Sequence, residues 1–294
     1  MGEKERISGH THLISLIGSP VAHSGSPATH NLSFEKLGID SAYLVFDVKE
    51  DGVETALAAM RALEGWDGSN VTMPCKRAVI PYLDELDPAA ELMGAVNVIE
   101  KKDGKLKGYN TDGVGFMTNL RKHGVTDKGA TMTLVGIGGA GSAVLTQAAL
   151  DGVKTIHAFA RANFDGTYER VAEGLVPAVN AKTECDVQLH DLADMDLLKK
   201  CIEESDILVN ATNVGMGEGC EDSLIPVDYL RPDLAVADVI YFPRETRLIR
   251  DAKALGCVTV PGIGMMLEQA AAGEKIWYDA EMPTEEIAEA LFSE

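Results

Sequence analysis

The sequence predicts an α/β protein built on mostly parallel sheet, and three observations carry that prediction. Short β-like runs alternate with amphipathic helical stretches from one end of the chain to the other, which is the pattern of βαβ units. A G-x-G-x-x-G element, Gly136, Gly138 and Gly141, follows one such run and opens one such stretch. The 294 residues suffice for about two domains at roughly 100–200 residues each.

In chain order the strand-like runs are HLISLIG (12–18), AYLVFDV (42–48), TMTLVGI (131–137), TIHAFA (155–160), DILVNAT (206–212), LAVADVI (234–240) and CVTVPG (257–262). Helical stretches fall at 50–63, 139–151, 245–255 and 265–279, with a last one at about 284–292. VIEKKDGKLKG (98–108) reads as a hairpin, because Asp103-Gly104 suits the positive-φ turn of a two-residue loop. A linking helix over 113–123 then leads into the second half. There is no internal repeat and no low-complexity tract, only a ragged polar start over about the first ten residues.

Hydrophobic residues make up 46% and charged residues 24% of the chain, which excludes a disordered or fibrous protein. Twenty-six basic against 46 acidic residues give a net charge of −20. Nucleic acid and anionic membranes need a basic footprint, so neither is an expected partner. An anionic small molecule stays open, since a few local Lys and Arg side chains can dominate a pocket. The five cysteines (Cys75, Cys185, Cys201, Cys220, Cys257) lack C-x-x-C spacing, against a disulfide framework or a zinc knuckle. Together with the seven histidines they show no metal-ligand spacing, so no metal is expected. The N-terminus lacks an apolar signal core, and no apolar run is long enough to span a bilayer. The expected setting is a reducing cytoplasm.

The segment TMTLVGIGGAGSAVLTQAAL (131–150) is the most legible motif. One glycine permits the tight strand-to-helix turn, another lets backbone approach a pyrophosphate, and a third lets helix and strand pack closely. The helix N-terminus offers unpaired N–H groups to the anion. Gly136, Gly138, Gly139, Ala140 and Gly141 are therefore candidate dinucleotide-binding residues, against the plainer reading of a glycine-rich turn. An acidic residue ending the next strand would accept from a ribose 2′-hydroxyl, and a basic one would pair with a 2′-phosphate. TIHAFA runs into Arg161, which leans toward NADP; a solvent-exposed arginine at a strand end is the plain alternative.

Four segments of the first half are rich in small polar groups. Ser24 and Ser26 precede a helix with Pro27 in its first turn, and Ser26 reads as the N-cap. Ser24 has no such local explanation. Asn70 and Thr72 are two apart on a strand and so share a face, with Lys76 four residues after Thr72. Asn97 stands between apolar neighbours, where a buried amide needs partners. Asp112 falls at a strand-to-helix turn. Singly, each has a bland role: Asn110 and Asp112 as turn formers, Lys76 as a solvated lysine. Jointly, hydroxyls and amides suit a polyhydroxylated ligand, and a Lys–Asp pair suits proton transfer at an alcohol. Spacing alone does not show that they meet.

These residues resemble those of the shikimate dehydrogenase superfamily, most of all its shikimate/quinate dehydrogenase branch. The matching segments are GSPVAHSGSPATHN (18–31), SNVTMPCK (69–76), GAVN (94–97), GYNTDG (108–113), GIGGAGSA (136–143), NATNVGM (210–216), DVIYFPRETRL (238–248) and PGIGMMLEQAA (261–271). They occur in family order over nearly the whole chain. The resemblance implies a substrate domain of 1–112 plus 263–294, with a Rossmann-type NAD(P)-binding domain of 113–262 inserted and the active site in the cleft between them. It implies reversible oxidation of a ring hydroxyl of shikimate to 3-dehydroshikimate, a step of aromatic amino-acid biosynthesis. Lys76 would transfer the proton with Asp112 as its hydrogen-bonded partner. Ser24, Ser26, Asn70, Thr72, Asn97, Tyr241 and Gln269 would line the substrate pocket. Thr212 would lie along the cofactor, and Gly262 and Met265 would border the nicotinamide.

The chain departs from the family in two places. NADP-preferring members usually carry Asn-Arg-Thr after the second Rossmann strand, where this chain has Ala160-Arg161-Ala162. The shikimate/quinate branch often has an acidic residue slightly later, and here that position is Asn163. Neither rule for NAD or NADP is met. Thr72 matches the shikimate-specific members, whereas some quinate-using relatives have serine. The alternatives to a shikimate dehydrogenase are a quinate-preferring enzyme with the same machinery and a catalytically idle NAD(P)-binding regulator on the same fold. Either a monomer or a homodimer fits.

Overall fold

The computed structural model describes residues 7–292; six residues of the polar start and the last two residues lie outside that range. The chain divides into two compact units, Met1–Thr111 with Ala270–Glu294, and Asp112–Gln269.

The first unit carries strands β1 (His12–Gly18), β2 (Ser41–Asp47), β3 (Trp66–Val71), β4 (Glu85–Leu86), β5 (Val98–Lys102) and β6 (Lys105–Tyr109). Their order across the sheet is β2-β1-β3-β5-β6-β4. β1 pairs in parallel with β2 and β3, while β5 runs antiparallel to both β3 and β6. β4 pairs in parallel with β6, so the sheet is parallel-rich, as the sequence pattern predicts, with β5 as its one reversed strand. The Asp103-Gly104 turn, with φ values of 51° and 74°, closes the expected hairpin between β5 and β6.

Period-two alternation in β1 divides the core. Ile14 and Leu16 pack with Phe34 of the helix Ser26–Leu37 and with Tyr43. Ile17 packs on the other face with Leu57 and Met60 of the helix Val53–Ala62. The helix Ser26–Leu37 corrects one expectation. Its N-cap is Gly25, and Ser26 is its first residue. The local turn is made instead by Ser24, whose Oγ accepts from the Ser26 N–H at 3.2 Å. β3 also ends at Val71, so Thr72 lies one residue beyond the strand on which it was expected.

The second unit carries β7 (Thr131–Val135), β8 (Thr155–Ala160), β9 (Asp186–Asp191), β10 (Ile207–Asn210), β11 (Ala235–Asp238) and β12 (Val258–Val260). All pair in parallel, in the order β12-β11-β10-β7-β8-β9. That is the doubly wound dinucleotide-binding order, which reverses between β7 and β10 and opens a crevice beyond their carboxyl ends. The helix Gly139–Asp151 follows β7 and ends at Gly152, whose φ of 99° stops it in the left-handed conformation. β9 and the helix Met195–Glu204 were not legible as apolar runs. β9 is an edge strand with Asp186, Gln188 and Asp191 exposed, and the helix starts from an Asp194 side chain that accepts from Leu197 N–H. Among the described residues no helix is long and apolar enough to cross a membrane.

Candidate active site

In the first unit, buried polar side chains form a connected ladder. The Tyr43 hydroxyl donates to Asn70 Oδ1 at 2.7 Å, and Asn70 Nδ2 donates to the Asn97 carbonyl at 3.2 Å. Asn97 in turn grips Thr111: its Oδ1 accepts from Thr111 N–H at 2.8 Å and its Nδ2 donates to Thr111 Oγ1 at 3.1 Å. Tyr43 is fully buried, and burial pushes its phenol far above the ordinary tyrosine range. It therefore stays a neutral donor. Of the residues expected in a substrate pocket, the structure links Asn70 and Asn97 in this ladder, while Ser24 and Ser26 bond one another through the Ser26 N–H.

Thr72 is held differently. Its N–H donates to the Ile17 carbonyl at 2.9 Å, and a Cβ on Gly18 would collide with its methyl group. Lys76 is half-buried in the short helix Cys75–Ala78 just after β3. Its carbonyl accepts from Val96 N–H at 2.8 Å, so its backbone is tied to the segment that carries Asn97. Asp112 is half-buried in the first turn of the helix Thr111–Lys122, where the helix dipole favours a carboxylate. Asp112, Tyr241 and Gln269 belong to the second unit. Tyr241 follows β11 and is exposed, and Gln269 donates to the Met266 carbonyl.

The glycine loop of the second unit meets each requirement of a pyrophosphate cradle. Gly136 has a φ of 99°, and a Cβ there would strike the Ala211 backbone and Thr212. A Cβ on Gly141 would collide with the Gly136 carbonyl oxygen, so the helix packs hard against the turn. Beside Gly138 and Gly139 there is open space within 4 Å, and no side chain caps the helix that starts at Gly139. Free N–H groups next to an unfilled volume fit a phosphate anion.

Thr212 sits opposite, after β10. Its hydroxyl donates to Asn210 Oδ1 at 2.7 Å, and Asn210 Nδ2 reaches both carboxylate oxygens of Asp238 at 3.1 and 3.2 Å. Asp238 also accepts from Ile240 N–H and the Thr246 hydroxyl. Burial pushes its carboxyl up to about 6. Gly262 lets its backbone press on the Ile240 carbonyl, and Met265 is buried in the helix Ile263–Tyr278. Arg161 is exposed, and its guanidinium carbon lies 3.3 Å from the Phe164 ring centroid. That stack holds the guanidinium flat at the end of β8.

Sequence reasoning missed Tyr43, Asn210, Asp238 and Thr246. Asn210 and Asp238 did carry a signal, for each is a polar residue ending an apolar strand run, where ligands of open α/β sheets gather. Nothing in AYLVFDV marked the Tyr43 hydroxyl as the one that would be satisfied by Asn70.

The family profile for the shikimate dehydrogenase substrate binding domain matches residues 16–99. A protein of Listeria monocytogenes serotype 4b (strain F2365) named shikimate dehydrogenase (NADP(+)) is 48% identical over 291 residues, covering 98% of each chain. The crystal structure of a shikimate 5-dehydrogenase from Listeria monocytogenes, in complex with shikimate and NAD, superposes with a TM-score of 0.93 at 46% identity, over 99% of each chain. The quinate dehydrogenase from Corynebacterium glutamicum, in complex with NAD, matches with a TM-score of 0.84 at 30% identity, over 97% of this chain and 99% of that one. Identity of this extent over the full length decides the family: the chain belongs to the shikimate dehydrogenases.

Proposed function

We propose that this chain is an NAD(P)-dependent oxidoreductase interconverting shikimate and 3-dehydroshikimate. The observation that carries the reading is the buried ladder Tyr43–Asn70–Asn97–Thr111 of the first unit, which holds amide and hydroxyl groups in fixed hydrogen-bonded positions. Rigid donors and acceptors of this kind suit a polyhydroxylated ring acid, and their prior satisfaction keeps them from reorganising when substrate arrives.

The bound nicotinamide cofactor supplies the hydride acceptor. The chain's residues handle the rest. Lys76 takes the proton from the ring hydroxyl as it becomes a ketone and returns it in the reverse direction, a role that requires an amine within hydrogen-bond reach of that oxygen. Asp112 is the carboxylate of the same step. Ser24, Ser26, Asn70, Thr72, Asn97, Tyr241 and Gln269 bind substrate, the serines and Tyr241 at its carboxylate. Gly138, Gly139, Ala140 and Gly141 offer backbone N–H groups to the pyrophosphate, Thr212 lies along the cofactor, and Gly262 and Met265 border the nicotinamide. Arg161 is a flat cation that can pair with a 2′-phosphate, and Ala160 to Asn163 meet neither family rule for one cofactor alone, so both NADP and NAD serve. On this reading the protein works in a reducing cytoplasm as a monomer or homodimer, without a nucleic-acid or membrane partner, and its five cysteines are free thiols.

Initial rates with shikimate or quinate, each with NAD or NADP, test the proposal, with Lys76→Ala alongside. Turnover mainly of shikimate, reduced about 10²–10⁴-fold in the variant, is the expected result. Quinate turnover at a comparable rate moves the protein to the dual-substrate branch. Cofactor binding without turnover of either acid overturns the enzymatic reading in favour of a regulator.

A further inference from the structure

The second unit holds a cluster that the reaction does not use. His157 on β8, His190 on β9 and Cys201 on the helix Met195–Glu204 converge so that one ligand atom of each lies within 4.8 Å of the others. His157 Nδ1 is 3.4 Å from His190 Nε2. Two nitrogens bound to a tetrahedral zinc at about 2.0–2.1 Å stand roughly 3.3–3.4 Å apart. The imidazole pair therefore already spans one edge of such a site, and Cys201 Sγ needs to close by about 1 Å to complete a face.

We propose that His157, His190 and Cys201 form a binding site for one zinc-class divalent cation. The N₂S donor set suits a borderline-soft ion rather than magnesium or calcium. Three further features favour it. The surrounding charge is mostly negative: Glu204 and Asp186 act on His157, Asp194 on His190, and both Glu204 and Asp194 on Cys201, with Lys200 opposing. Burial holds both imidazoles below their ordinary value, which leaves the nitrogen lone pairs available. The rings are also braced, since His190 packs on Phe159 with centroids 4.9 Å apart.

Burial pushes the Cys201 thiol up, so binding is a proton exchange: the metal–sulfur bond forms as the S–H bond breaks, and one proton leaves to solvent. Spacing could not reveal this site, because parallel pairing sets Phe159 beside His190 and the thiol arrives from the following helix. An ion here ties edge strand β9 to β8 and to that helix. It also lies next to Asp191, whose carboxylate accepts from Ala162 N–H beside Arg161.

The test uses the full chain, stripped of metal and titrated with cobalt(II) and then zinc(II). One cobalt per chain with a thiolate-to-metal charge-transfer band, displaced by zinc, is expected, and zinc should raise the thermal midpoint. Cys201→Ser should abolish the band and His190→Gln should weaken zinc binding at least tenfold, with each variant keeping the circular dichroism of the metal-free parent. Absence of the charge-transfer band in the unmodified chain overturns the proposal and leaves a simple imidazole–imidazole hydrogen bond. Cobalt binding unchanged in both variants overturns it equally, as the mark of adventitious surface carboxylates.

Discussion

His30 Nδ1 stands 2.8 Å from Glu274 Oε1, with side chains 1% and 0% exposed, although the two residues are 244 positions apart in sequence. The second carboxylate oxygen of Glu274 accepts from the Ser33 hydroxyl at 2.6 Å. His30 also lies flat against Tyr43, with ring centroids 4.5 Å apart and planes 13° from parallel. One buried acid on a C-terminal helix thus fixes the imidazole that packs on the first rung of the polar ladder.

Removing either partner should be costly. Deleting one side of this buried contact leaves polar atoms of the other without their hydrogen-bond partner and away from water, at about 1–3 kcal/mol. Glu274→Ala and His30→Ala are each expected to lose stability on that scale in urea unfolding. The double variant should lose much less than the two single losses added together, because the stranded group goes as well. Strict additivity of the two losses would show that the contact is incidental.

Asp238 predicts a pH dependence with a definite sign. Its carboxyl rises from 3.8 to about 6 on folding, so the folded chain holds the proton more tightly than the unfolded chain. Its stabilising contribution is full below about pH 4 and is lost as pH rises through 6, a change of roughly 3 kcal/mol over the whole range. Asp238→Asn cannot titrate. Between pH 4 and pH 7 the parent should lose roughly 2 kcal/mol more than this variant in urea unfolding; parallel profiles would refute the assignment. The same variant presents an amide N–H₂ to the Thr246 and Asn210 donors, and so should also disturb Thr212 through Asn210.

How far sequence reading reached follows from the range of each interaction. The helix Gly139–Asp151, the Asp103-Gly104 turn and strand β1 are fixed by local pattern, and all three were legible. β3, with the sequence WDGSNV, is buried along most of its length yet lacks an apolar run, because Ser69 meets its partner in Ser15 on the neighbouring strand. Lys76 and Asp112 could be singled out by type and by resemblance. Glu274 could not: in a C-terminal amphipathic stretch it reads as a solvated face residue, and only the tertiary fold supplies His30 and Ser33. Ser26 was misread for a related reason, since a serine before Pro27 looks like a cap until the backbone shows Gly25 in that position.

The glycine loop permits a separation of folding from binding. Gly141 abuts the Gly136 carbonyl oxygen, so Gly141→Ala must displace backbone and should cost about 1–3 kcal/mol of stability. Gly138 has ordinary extended backbone, with φ of −66° and ψ of −159°, and open space where a Cβ would stand. Gly138→Ala should therefore unfold within about 1 kcal/mol of the parent. The added methyl group would occupy the volume offered to the pyrophosphate, so the KM for the cofactor should rise at least tenfold while that for shikimate changes little. Unfolding curves and paired KM measurements on the two variants decide the matter. A Gly138→Ala variant with unaltered cofactor KM would mean that the phosphates do not approach the backbone at this glycine.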